Sequence, residues 1–365
     1  MELILREMEA GEAKAVQALG IKCFLRSLEG FFVTTPKTAL VAEKDGKIVG
    51  GFLYSMETCR AKKLGFVDFF FVDPTYAGQG IGRALCDEGI ARLWAQGCDY
   101  LATFVRDDNV GSWAAFEKTG FARASLPKVA GALGLGGFVK AYLKHLYGLC
   151  TGCDFYFAAS PDSQAPVPSY AKKTGAGQLA LHVLTNTMLV LIPALIAFAA
   201  SGAGPAAFSV PRFSMVFLSL LAAFGGAALF GYIGTLVSRV KWRYRMPTGG
   251  LPLSLVISVF FGALYPVAGN WYPDRYENTP KFRRDMGISA LLPWLYTMAL
   301  LVAARQFGGE IPILSTMPQI IIAILLAFRC VPFPHVNLGT ARVLRWNKVL
   351  YGAMILASIY FVFFW

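Results

Sequence analysis

The sequence predicts an α/β domain followed by an all-α polytopic membrane domain, with five spanning helices and one re-entrant segment. Charge is the first reason. Residues 1–177 hold 20 Lys/Arg and 18 Asp/Glu, a net of +2, whereas 178–365 hold 14 and 4, a net of +10. The second is the run of long apolar segments confined to the later half, each approaching the roughly 20 residues that a spanning helix needs. The third is a strand, a glycine turn and a helix in immediate succession at 65–94.

In order, residues 2–7 read as a first strand and 10–28 as an amphipathic helix. Thr38–Glu43 and Lys47–Met56 form a hairpin about Asp45-Gly46. Gly65–Val72 is an apolar strand, 79–95 a helix, Tyr100–Val105 a strand, 110–119 a helix and Asp154–Ala158 a final strand. An insertion, Leu126–Cys150, has a core at 138–147 that is apolar with interspersed basic residues. It is either a lid packed on the domain or a helix lying on a membrane surface. A Pro/Ser/Gly-rich linker follows, giving domains at 1–160 and 179–365 joined by 161–178.

The chemistry concentrates at Asp68–Leu85. Asp73-Pro74 stops the strand, and Gly78, Gly80 and Gly82 alternate through the turn. Glycines let backbone N–H groups converge, and a helix N-terminus favours negative charge, so the turn is an anion cradle. It lacks the Lys-Ser/Thr ending of a nucleoside-triphosphate loop and is too compact for the dinucleotide fingerprint.

Val72-Asp-Pro-x-Tyr-x-Gly-Gln-Gly-Ile-Gly-Arg-Ala-Leu85 resembles the pyrophosphate-binding motif of the GNAT acetyltransferase superfamily. Asn109-x-x-Ser-x-x-x-Phe-Glu-Lys-x-Gly-Phe121 looks like that family's second motif, which closes over the pantetheine arm. The resemblance covers about 1–160. It implies acetyl-CoA or another acyl-CoA as substrate, held by Val72, Gln79, Gly80, Ile81, Gly82, Arg83, Ala84, Asn109 and Phe116. Two positions depart from the pattern: Ala77 stands where Arg or Gln is usual, and Phe116 replaces the tyrosine that commonly acts as general acid. An aliphatic thiol has a pKa near 8.5, so the thiolate leaves with little acid help. Asp68 is the candidate base, or alternatively a strand-end carboxylate with a structural partner. Tyr76 and Tyr54 are candidate substitute acids, and Asp73 reads as a turn former.

The apolar segments fall at about 179–201, 212–238, 251–269, 287–304, 311–328 and 349–365. If 251–269 dips in and returns, the basic stretches at Arg239–Arg245, Arg275–Arg284 and 329–348 all lie on one side. That side is cytosolic if the first domain meets acyl-CoA there, so the +12 net charge is a topology signal rather than a nucleic-acid footprint. Met1–Glu7 carries charge throughout, and no signal peptide is read in it. A bacterial or archaeal cytoplasmic membrane is the expected location.

Phe-Gly-Tyr-Ile-Gly-Thr-Leu-Val-Ser-Arg at 230–239, Arg243-Tyr-Arg-Met-Pro-Thr-Gly-Gly and the segment 332–347 resemble the site-2 protease family around its metal ligands. The matching positions here are Gly231, Tyr232, Thr235 and Leu338, which offer no histidine, glutamate or aspartate, so neither metal nor proteolysis is expected. His182 and His335 remain, read as structural. Of seven cysteines only Cys150 and Cys153 are close, as incidental reduced thiols or a redox pair. Together these readings imply an N-acyltransferase whose partners are membrane lipids and an amine-bearing lipid, lipid-linked sugar or membrane protein. The alternative is a non-catalytic acyl-CoA sensor or scaffold.

Overall fold

The computed structural model describes residues 3–24, 28–105, 110–124, 126–145, 153–162, 167, 176–201, 210–246, 251–267, 269–273, 279–310, 316–330 and 339–364. The chain divides into two compact units, Met1–Ala171 and Lys172–Trp365.

In the first unit, strands β1 (Leu3–Glu7), β2 (Ala39–Lys44), β3 (Lys47–Cys59), β4 (Lys62–Val72), β5 (Tyr100–Val105), β6 (Ala122–Arg123) and β7 (Asp154–Ala159) form one sheet. Their order is β1-β2-β3-β4-β5-β7-β6. Only β4 and β5 run parallel. Helix α1 (Ala13–Cys23) and the insertion helices α4 (Leu126–Leu133) and α5 (Leu135–Lys144) cover one face through Val16, Val129, Leu133, Ala141 and Tyr142. Helices α2 (Ile81–Ala95) and α3 (Val110–Lys118) cover the other through Ile81, Leu85, Ile90, Leu93 and Phe116. The insertion is thus packed on the sheet, yet its outer side keeps Leu135, Val139 and Leu143 exposed at positions i, i+4 and i+8. Helix α1 stops at Cys23, shorter than the pattern to residue 28 suggests.

The second unit is mostly helical: α6 (Ala176–Ser201), α7 (Val210–Leu220), a π-helical turn (Leu221–Gly225), α8 (Gly226–Thr235), α9 (Leu251–Phe261), α10 (Pro280–Phe307), α11 (Thr316–Arg329), α12 (Ala341–Trp346) and α13 (Lys348–Ile359). It also holds a two-stranded ribbon absent from the sequence reading, β8 (Trp242–Arg245) against β9 (Asn270–Pro273).

The five expected spans are corrected to two. Among the described residues only Ser214–Thr235 and Pro280–Phe307 are long and apolar enough to cross a membrane. Hydropathy counts apolar residues, but a span needs unbroken helix. At about 1.5 Å per residue, α11 reaches only about 21 Å, against a hydrocarbon core of about 30 Å, and α9, in the segment expected to be re-entrant, reaches about 17 Å. The apolar stretches Gly177–Pro193, part of the 26-residue α6, and Lys348–Phe364 are shorter among the described residues.

Gly231 packs against Trp271 and Pro293, and the Thr235 hydroxyl donates to the Tyr232 carbonyl at 2.7 Å, while Tyr232 faces outward. These positions serve helix packing. His182 is buried, with Nε2 2.8 Å from the Val267 carbonyl and Nδ1 2.8 Å from the Tyr244 hydroxyl. No group of three His, Cys, Asp or Glu is placed to hold a metal among the described residues. Leu338, His335 and Cys150 lie outside them.

Candidate active site at a parted strand pair

The β4–β5 pairing runs from Leu64↔Tyr100 to Val67↔Thr103 and stops there, although both strands continue, β4 on β3 and β5 on β7. The Thr103 hydroxyl donates to the Val67 carbonyl at 3.0 Å, fastening the last rung. Beyond it the strands part.

Asp68 sits at this fork and is also the extra residue of a β-bulge. Leu53 pairs with Phe69 and Tyr54 with Val67, leaving Asp68 without an opposite partner on β3. A bulge changes the phase of the strand. Leu64 and Phe66 line the α1/α5 face before it, Phe69 and Phe71 line the same face after it, and Val67, Phe70 and Val72 line the other.

On the α1/α5 face the bulge meets a residue that sequence reasoning missed. His145, at the C-terminal end of α5, is buried with its ring stacked on Phe66 at 3.4 Å between centroids. Its Nδ1 lies 2.7 Å from Asp68 Oδ1 and its Nε2 3.4 Å from Glu57 Oε1. Lys144 reaches the same Glu57 oxygen at 2.8 Å. Burial works against charge on both His145 and Glu57, but the ion-pair contacts outweigh it. Those to Asp68 and Glu57 hold His145 above the usual imidazole range. Those from His145 and Lys144 bring Glu57 down to about 2. The array is carboxylate, imidazole, carboxylate, with the Asp68 side chain 23% exposed at its end.

Beyond β4, Asp73 forms the turn. Its Oδ1 accepts from the Thr75 N–H at 3.0 Å and the Thr75 hydroxyl at 2.8 Å. Lys22 Nζ reaches Oδ2 at 2.8 Å, and with Thr75 it holds the carboxyl at about 2. Gly78 and Gly80 take φ of +79° and +76°, the left-handed region that favours glycine, and a Cβ on either would meet nothing within 4 Å. The space over the turn is therefore open, as an anionic ligand requires. The first helical bond of α2 runs from the Ala84 N–H to the Gly80 carbonyl. The N–H groups of Ile81, Gly82 and Arg83 therefore have no acceptor within the helix. Gly82 leaves the backbone close to Phe70 and Val72. Arg83 is largely exposed, and Gln79 Oε1 accepts from Lys44 Nζ at 2.7 Å, which delivers a cation to the turn from β2.

Tyr76 sits on the short 3-10 turn Pro74–Tyr76 with Lys44 Nζ 5.8 Å from its ring centroid. Tyr54 is buried on the α2 face with its hydroxyl 3.3 Å from Glu7 on β1, and burial raises its pKa. Glu7 lies at the sheet edge, so the Tyr54 hydroxyl does not join the Asp68 cluster. Phe116 is a core ring against Phe121 and Phe70. Asn109 lies outside the described residues.

A mixed sheet that parts at a bulge, ahead of a left-handed glycine turn opening a helix, defines an α/β domain with an anion cradle beside a carboxylate. Residues 6–121 match the Acetyltransferase (GNAT) family, and this stretch is a GNAT acetyltransferase domain. Among solved structures, the chain is similar to a GNAT family acetyltransferase from Brucella melitensis in complex with acetyl-CoA. Identity is 21%, over 47% of this chain and 97% of that one, with a TM-score of 0.31. It is also similar to an acetyltransferase of the GNAT family from Streptococcus pneumoniae, at 22% identity over 34% and 87%, with a TM-score of 0.29. N-acetylglutamate synthase from Neisseria gonorrhoeae, complexed with coenzyme A and N-acetyl-glutamate, matches at 18% over 44% and 35%, with a TM-score of 0.32. This chain spans about a third of that last protein. The family match ends at 121, so the site-2 protease resemblance of the helical unit rests on its sequence motifs alone.

Proposed function

We propose that the chain is a membrane-anchored N-acyltransferase that moves an acetyl or longer acyl group from acyl-CoA to an amine presented at the cytosolic membrane surface. The observation that carries this reading is Asp68, bulged out at the fork between β4 and β5, upstream of an open glycine turn on the same strand. In this reading the pyrophosphate sits on Gly78–Ala84 with Lys44 beside it, and the thioester reaches the fork. The amine nitrogen bonds to the thioester carbon, the carbon–sulfur bond breaks, the amine proton passes to Asp68, and CoA leaves as its thiolate. That leaving group tolerates a phenylalanine where the family's acid would stand.

A membrane-borne acceptor (an aminolipid, a lipid-linked amino sugar or a membrane protein) is supported by two observations. Two helices are long enough to span, and α5 carries an exposed Leu135/Val139/Leu143 stripe with Lys140 exposed beside it. A helix with an apolar stripe fringed by lysines suits a bilayer surface. The helical unit then acts as anchor and acceptor guide, a site-2-protease-like scaffold without metal chemistry.

A second reading, a non-catalytic acyl-CoA sensor or scaffold, is favoured by Phe116, whose buried ring supplies no proton. The test is acetyl-CoA consumption by the purified full chain with membrane extract, alongside calorimetric binding. Native protein should bind and turn over acetyl-CoA. Gly80→Asp, which forces a side chain into a left-handed position and a carboxylate over the cradle, should lose binding while remaining folded. Binding without turnover establishes the second reading, and no binding removes both.

A further inference from the structure

We propose that His145 is a positioning residue for Asp68: its Nδ1–H fixes the direction of the carboxylate that receives the acceptor's proton, and Glu57 and Lys144 hold the imidazole in place. This deepens the acyltransferase reading and rests on it. The resemblance to the acetyltransferase family assigns nothing to His145, which comes from the insertion between the second motif and the last strand.

Four observations carry it. The imidazole is fixed on three sides, by Asp68 on β4, Glu57 on β3 and the parallel ring of Phe66. It is 4% exposed, so water neither screens nor replaces these bonds. Asp68 is the one member of the array with an open side, at the place where the strands part. Asp68 continues the phase of Leu64 and Phe66 toward the face carrying α5, and the bulge returns Phe69 and Phe71 to that same face, so the carboxylate sits within the apolar row.

Among the described residues, the charged groups facing the ring are Glu57, Asp68 and, through Glu57, Lys144, while the Phe66 ring stacks on one face without charge. An N–H donor 2.7 Å from a carboxylate oxygen fixes the direction of that carboxylate, so Asp68 is held at the fork in one orientation. Glu57 does the same for the imidazole from the other side. Two carboxylates beside a buried imidazole favour its charged form, so removal of either should lower its titration.

The test uses the full chain in detergent with 13C-labelled histidine, and acetyl-CoA consumption with membrane extract as the amine source. His145 is identified among three histidines by the signal that His145→Asn removes. In native protein it should titrate above about 6.5, and Asp68→Asn should bring it down. His145→Asn keeps an N–H donor at the Nδ1 position but no charge. It should keep kcat within about tenfold of native, with the KM for acetyl-CoA within about twofold of native. His145→Leu, which loses donor and charge, should lower kcat by about 10²-fold. Should these buried variants fail to fold, Glu57→Gln is the second probe, expected to lower the His145 titration and to lower kcat without a matching rise in the acetyl-CoA KM.

A His145 titration indifferent to Asp68→Asn overturns the proposal. So does a kcat of His145→Asn no better than that of His145→Leu, or a loss of kcat accompanied by an equal rise in the acetyl-CoA KM. Failure of the acyltransferase reading looks different: native protein consumes no acetyl-CoA while the His145 signal still responds to Asp68→Asn, and the positioning role falls with that reading.

Discussion

Lys22 Nζ lies 2.8 Å from Asp73 Oδ2 and so ties the last turn of α1 to the junction between β4 and the glycine turn. The same carboxylate caps that turn through the Thr75 N–H. One side chain therefore joins the helix on one face of the sheet to the loop that opens α2 on the other.

Asp73→Ala is expected to destabilise the first unit by about 1–2 kcal/mol, the range for losing a capping side chain, with the half-exposed ion pair adding little. The acid dependence follows from the sign of the shift. Asp73 is held at about 2 when folded, below the roughly 3.9 of an unfolded aspartate, so its contribution is present above about pH 4. It is lost as pH falls toward 2. Urea unfolding of both proteins at neutral pH and near pH 2 checks this: the gap should close at low pH, and a constant gap contradicts it.

Gly89→Ala tests how closely α2 sits on the sheet. In an exposed helix the change would gain up to about 1 kcal/mol. Here the new Cβ would stand 2.6 Å from the Phe52 ring, and overpacking costs about 1–3 kcal/mol. The second effect wins, so the variant should unfold at lower urea, and Phe52→Leu should restore part of the loss. A gain in stability would mean the ring gives way freely.

How much of this was legible follows physical lines. The strands, the hairpin and the glycine turn of the first unit are readable because apolar runs of β-formers, Asp45-Gly46 and alternating glycines are local signals. The bulge at Asp68 is not, because its cause is a register shift between two strands. His145 was hidden for a similar reason. Its partners lie 77 and 88 residues away in sequence (145 − 68 and 145 − 57), and only the packing of α5 brings them together. Tyr54 is a candidate acid by sequence, but the side of the strand it occupies sends its hydroxyl to Glu7. In the second unit, Trp242-Arg-Tyr-Arg245 does alternate as a strand does. Its charges, beside apolar segments, instead suggested a basic loop.

Gly234→Leu should uncouple α8 from α10. A Cβ at Gly234 would lie 2.8 Å from the Ser289 Cα and 3.0 Å from the Ile288 carbonyl oxygen. Both are backbone atoms, which cannot rotate aside as the Phe52 ring can. The two helices must move apart, giving up dispersion contacts that drive packing between apolar helices. Thermal unfolding of the full chain in detergent should show a loss of at least about 1–3 kcal/mol. Gly225→Ala is the control: its nearest neighbour would be Leu221 Cδ1 at 3.7 Å, ordinary contact, and its stability should stay native or rise. Equal behaviour of the two variants would exclude close approach at Gly234.

Arg305, near the end of α10, donates to the carbonyls of Phe361 and, at 2.9 Å, Val362 in the π-helical turn Tyr360–Phe364 that follows α13. The last carbonyls of a helix have no donor within it, and in apolar surroundings water is a poor substitute. The guanidinium supplies both bonds from one planar fork, which an ammonium cannot match in geometry. Hydrogen bonds to a charged group contribute about 1.5–3 kcal/mol. Arg305→Met keeps the apolar stem and removes the donors. Amide exchange at 358–364 should rise by about 10- to 100-fold, the range that this energy converts to. The middle of α10 around Trp294 and Thr297 should keep its protection, since its packing is untouched. Arg305→Lys should fall between native and Arg305→Met. Unchanged exchange at 358–364 in Arg305→Met would show that the terminal turn is held by packing and not by the arginine.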